Sequence, residues 1–157
     1  MKRGARILLV VVTAALAGCG LAPDSKTAAP QKPEDFMREI VRLTVSANDA
    51  KAWSLLHPAH QKLVTRSRFV RCRAAPQGTP PSRVVSSVFD GKRYEQIDVP
   101  LIPEHTSTAV KLKLVVATGQ KREPADVTVR AVWIGKRWAW ILPSSNIPAF
   151  LAGRCPS

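Results

Sequence analysis

Apolar residues at three- and four-residue steps fill the first stretch able to fold. Phe36, Met37, Ile40, Val41, Thr44, Val45 and Ala47 recur, with Arg38, Glu39 and Arg42 between them. That spacing predicts a helix with one buried stripe. Pro33 suits its first turn, and Glu34 and Asp35 sit where the positive helix end favours acids. Asn48-Asp49 breaks the pattern, and a second short helix is expected over 50–56, ended by His57-Pro58. Further helical turns are expected over 59–64 and 66–72, the latter capped from Thr65-Arg66-Ser67 with Phe69 and Val70 facing in.

A Pro- and Gly-rich loop over 75–81 changes the period to two. Residues 83–89 read as a strand, Asp90-Gly91 as a tight turn, and 94–99 as the return strand. Over 108–118, Val110, Leu112, Leu114 and Val116 alternate with Lys111, Lys113 and Val115, giving one apolar face and one bearing lysines. Strands are also expected over 126–134 and 138–142, joined at Gly135-Lys136-Arg137. Helices followed by about five antiparallel strands predict an α+β fold, N-terminal helices packed on a curved antiparallel sheet.

The first residues follow another pattern. Lys2, Arg3 and Arg6 precede an apolar run over 7–17, too short for the ~20 residues of a spanning helix. A basic start, a short apolar core and small residues mark an export signal. The run ends Leu16-Ala17-Gly18-Cys19, which resembles the lipobox of bacterial lipoproteins. That resemblance implies diacylglyceryl transfer to the Cys19 sulfur, cleavage before Cys19, and palmitate-type acylation of the new amine. The organisation expected is a lipoprotein signal peptide over 1–18, a flexible stalk over 19–32 rich in Pro, Ala, Ser and Thr, and one domain over 33–157. The location expected is the extracytoplasmic face of a cell membrane, through a lipid anchor.

Charge and cysteines sharpen this. The 157-residue chain is 45% hydrophobic, a globular composition, and its net charge is +13. Residues 1–18 hold three of the 24 Lys and Arg and none of the 11 Asp and Glu, so cleavage leaves +10. Such a balance favours anionic partners: lipid headgroups or an acidic wall polymer. A well-solvated basic surface with no dedicated partner is the competing reading. Nucleic acid is not expected, because no basic stretch has interleaved stacking aromatics. With Cys19 taken by lipid, Cys72 and Cys155 form an even pair in an oxidising compartment, and a disulfide is expected between them. Two buried thiols, or one reactive thiol, are the arrangements left otherwise.

Trp53-Ser54-Leu55-Leu56-His57-Pro58, Phe69-Val70-Arg71-Cys72 and residues 132–140 with Trp133, Trp138 and Trp140 carry a second resemblance. They are similar to the second helix, third helix and closing hairpin of the nuclear-transport-factor-2-like superfamily in its exported, actinobacterial-type members. That resemblance implies a cone-like, cystatin-like roll with an open end. Some of its members bind small molecules in the cone, a few are isomerases or dehydratases, and many are binding or accessory domains, so the fold does not choose the function. A partner protein, a wall component or an apolar ligand is what this chain is expected to bind.

A pocket base with a hydrogen-bond donor opposite has few candidates: Tyr94, Asp98 and His57, with Tyr94 and Asp98 at one strand parity. His57 before Pro58 also suits a backbone hydrogen bond at a helix end. His57, His60 and the distant His105 do not make a metal pattern, and no cofactor is expected. Trp138 and Trp140, pointing the same way, are either core wall or an aromatic binding surface, with Lys111 and Lys113 as its basic counterpart. The function expected is non-enzymatic binding at the cell envelope, with a small isomerase or lyase as the alternative.

Overall fold

A computed structural model describes residues 31–156. The expected signal peptide, Cys19 and residues 20–30 of the stalk lie outside them. Helix α1 spans Pro33–Val45, and its stripe buries Phe36, Met37, Ile40, Val41 and Leu43. Thr44 folds its hydroxyl back onto the carbonyls of Ile40 and Val41. Ser46 caps the end through the Arg42 carbonyl, and Ala47 then turns with φ +54°.

Three short helices follow: α2 Asp49–Ser54, α3 Pro58–Leu63 and α4 Arg66–Arg73. Thr65 caps α4 by accepting the Arg68 N–H. α2 ends at Ser54, two residues before the expected 56, and Pro58 begins α3 rather than ending a helix. His57 Nδ1 accepts the Ala59 N–H at 3.2 Å and so caps α3.

Strands β1 Ser82–Gln96, β2 Thr106–Thr118, β3 Lys121–Ile134 and β4 Arg137–Trp140 form an open antiparallel sheet in the order β1-β2-β3-β4. The helices pack on one face of it, an α+β fold. The count corrects the sequence reading. Asp90-Gly91 is not a turn but the middle of one 15-residue strand. The register shifts between Phe89 and Gly91, and Gly91 takes φ +138°, which glycine adopts without Cβ strain. The pairing partner decides it: Asp90 receives Lys111 and Lys113 from β2, both at 3.1 Å. β3 also starts earlier than expected and runs through Pro124. β4 pairs only with residues 131–134, so Pro124 lies on an open edge, where its missing N–H costs no ladder bond.

The core between α1 and the sheet joins Met37, Ile40 and Leu43 to Val110, Leu112 and Ala131, with Phe69 and Trp140 beside them. A smaller cluster, Ile102, Val132 and Ile141, lies under residues 97–102. After β4 the chain makes a 3-10 turn, Ser144–Asn146, and helix α5, Ile147–Leu151. The tail is tied down by the Cys72–Cys155 disulfide and by Arg68 donating to the Arg154 carbonyl. Among the described residues no helix is long and apolar enough to cross a membrane.

Candidate functional site

The C-terminal half of α1, the end of α4 and the middle of β3 leave space between them. The gap is a cavity of about 900 Å³ that also reaches residues 95–99 and the segment after β4. That volume is within the range of small-molecule sites. Ile40, Val41, Phe69, Val127, Val129 and Trp140 supply apolar wall, and Arg73, Glu95, Asp98 and Arg130 are its charged lining. α1 contributes Ile40, Val41, Thr44 and Val45 from its second half. Val127 and Val129 contribute because β4 stops short of them.

The charged groups are mostly engaged. Arg73 Nε donates to the buried Asp49 carboxylate at 2.6 Å, and its guanidinium lies over Phe69 at 5.7 Å. Arg130 Nε donates to Glu95 at 2.7 Å, and Arg93 holds the other Glu95 oxygen. The hydrogen bond from Arg130, then that from Arg93, keeps the Glu95 carboxyl below the usual carboxylate range.

The three residues expected at a pocket do not meet. Asp98 alone lines the cavity. Tyr94 is 75% exposed, away from it. The shared parity of Tyr94 and Asp98 fails because β1 ends at Gln96, so Asp98 belongs to a loop. His57 is buried at the α3 cap, with Nε2 3.2 Å from the Glu104 carboxylate, and does not line the cavity.

His60 is the residue the sequence reading undervalued. It is fully buried, and its Nδ1 accepts the Leu142 N–H at 3.1 Å. Burial, then the neighbouring His57, pulls its pKa down from 6.5 to about 4, against a smaller opposing pull from the Pro100 carbonyl. Its Nε2 has no hydrogen-bond partner of good geometry among the described residues. His60 thus acts as a neutral clip between α3 and the chain after β4. No group of three or more His, Cys, Asp or Glu among the described residues could hold a metal ion.

The expected surface residues divide differently. Trp140 is core: its indole donates to the Ala52 carbonyl at 2.7 Å, and Phe69 packs edge to face at 6.1 Å. It faces the helices as Trp138 does, and α2 and α4 cover it. Trp138 is half-buried and donates to the Gln31 carbonyl at 2.8 Å. The exposed indole is Trp133, 41% accessible and edge to face with Trp138 at 5.1 Å. Lys111 and Lys113 are on the face opposite the helices, as the alternation predicts, but they do not offer an unneutralised pair. Both bond Asp90, whose carboxyl is held low by Lys111 and then Lys113. The sequence placed Asp90 in a turn and so missed this neutralisation.

No protein-family model and no curated protein matches the chain. Fold and cavity define it as an α+β domain: helices on an open antiparallel sheet, with a ligand-sized space between the layers.

Proposed function

We propose that this chain is an exported lipoprotein, anchored through Cys19 at the extracytoplasmic face, whose nuclear-transport-factor-2-like domain binds an apolar or amphipathic small molecule without transforming it. The observation that carries the reading is the cavity of about 900 Å³, walled by aliphatic and aromatic side chains. An apolar body gains roughly 25 cal/mol for each Å² it removes from water there. Arg73 and Arg130 each commit Nε to a carboxylate, so their outer amino groups can still orient a polar head.

A lyase or isomerase needs a base poised near neutrality, facing a donor across a dry space. Glu95 is held ionised by two arginines, and Tyr94 is outside the cavity. Those features favour binding over chemistry.

N-phenylnaphthylamine, a neutral apolar dye that brightens out of water, tests the reading. Saturable enhancement is expected with the full chain. Val129→Trp, which fills the space between α1 and β3, should weaken it at least tenfold with little change in thermal midpoint. Absence of saturable binding, or equal binding by Val129→Trp, would remove the cavity as the functional site.

A further inference from the structure

The first described residues meet the aromatic pair of the β3–β4 hairpin. Gln31 accepts the Trp138 indole N–H at 2.8 Å, and Trp138 supports Trp133 edge to face at 5.1 Å. The strand register extends this patch. Trp133 pairs with Trp138, and Tyr94 pairs with Thr108, which pairs with Ala131, two residues before Trp133. Tyr94, Trp133 and Trp138 therefore share the helix-bearing face of the sheet, at the end where α1 begins. Trp133 and Tyr94 are two of the few large apolar side chains left exposed.

Cations lie beside them. Lys136 and Arg137 form the exposed β3–β4 hairpin tip, and neither has a carboxylate within 4 Å among the described residues. Lys32, also exposed, adjoins Gln31. In the other two dibasic pairs of the sheet, Lys92 meets Glu34 at 3.7 Å, Arg93 meets Glu95 and Lys121 meets Glu123 at 2.6 Å, which leaves only Arg122 without a carboxylate within 4 Å among the described residues. Lys32, Lys136 and Arg137 thus place basic charge without a local acid beside the exposed Trp133.

The length of chain before Gln31 says what this face meets. Eleven residues lie between Cys19 and Gln31, a length of chain that can reach no more than about 40 Å. We propose that the face formed by Trp133, Trp138, Tyr94, Lys136 and Arg137 docks on the anionic phospholipid surface to which Cys19 is anchored. This rests on the lipoprotein reading above and adds the domain's orientation. Indoles and phenols prefer the headgroup level, where an apolar ring and a polar tip are both satisfied. Each cation near an anionic surface contributes about 1 kcal/mol, screened over about 10 Å. The cavity lies towards the other end of α1, lined by Thr44 and Val45 rather than by the first turn.

A second apolar patch, Leu101 and Leu151 beside Lys62 and Arg68, has no link to the start of the domain and serves as the control face. The full chain, processed in its host and placed in phosphatidylglycerol vesicles carrying brominated acyl chains, gives the test. Trp53 and Trp140 donate inside the fold to Val64 and Ala52, so contact quenching reports Trp133 and Trp138. Strong quenching is expected, with most of it lost in Trp133→Gln and in the Lys136→Glu/Arg137→Glu pair, and none lost in Leu101→Ser. Phosphatidylcholine vesicles should quench much less. A chain that floats with the vesicles but is unquenched, or is quenched equally on both lipids, overturns docking while anchoring stands. Loss of quenching in Leu101→Ser but not in Trp133→Gln overturns the choice of face. A chain that does not float overturns the anchor, and docking with it.

Discussion

His60 shows how one side chain can be structural in a way its residue type does not announce. Its neutral ring accepts the Leu142 N–H in a fully buried site, and protonation removes that acceptor. The folded pKa of about 4 is below the ordinary 6.5, so between those values the unfolded chain binds more protons than the folded one. Stability contributed by neutral His60 is complete above pH 6.5 and is lost as pH falls towards 4. A thermal midpoint measured against pH should decline through that window, and His60→Asn should flatten the decline while lowering the midpoint at neutral pH. An unchanged slope in His60→Asn would assign the acid sensitivity to another group. Asp90 teaches a related lesson. Beside glycine it reads as a turn residue, yet two lysines across the strand make it a cross-strand partner.

At the scale of elements, β1 depends on a local irregularity. Phe89 and Gly91 flank a shift in register, and only Gly91 makes the required φ of +138° inexpensive. A Cβ there meets nothing within 4 Å, so replacement would act through backbone strain alone. Gly91→Val is expected to cost about 1–3 kcal/mol, measured by urea denaturation with an unchanged slope. A neutral result would mean that β1 can move its bulge. β4 works by being short. Its end after Trp140 leaves Val127 and Val129 facing the cavity, and a parallel bridge from Leu56 to Trp140 binds α2's end to the sheet.

At the scale of the whole molecule, the Cys72–Cys155 bridge spans 83 positions and joins α4 to the last residues of the chain. In the chain-entropy account such a loop contributes about 4–5 kcal/mol. Replacing both cysteines by alanine should lower the thermal midpoint by many degrees. It should also loosen the tail, with proteolysis after Leu151 as the local readout. Equal stability with and without reductant would count against that role. The proposed anchor is tested on the same scale. Cys19→Ser should yield an unprocessed or released protein, since two or three acyl chains on one residue hold stably where one does not. A variant still processed and membrane-bound like the unaltered chain would remove the lipoprotein reading.

Periodicity alone determined α1, β2 and the α+β order, because a stripe at 3.6 residues or an alternation at two has one way to bury itself. Val110, Leu112 and Leu114 needed no partner to be recognised as one face. Cysteine parity likewise named Cys72 and Cys155. Tertiary structure decided what depended on neighbours distant in sequence. Asp90-Gly91 became strand because β2 offered a ladder and two lysines. Trp140 became core because α2 and α4 lie over it, while Trp133, on the same face of the sheet, stayed exposed. The cavity belongs wholly to this second category. It exists where α1 outlasts its cover and β4 ends early, a relation between element lengths that no single stretch of sequence contains.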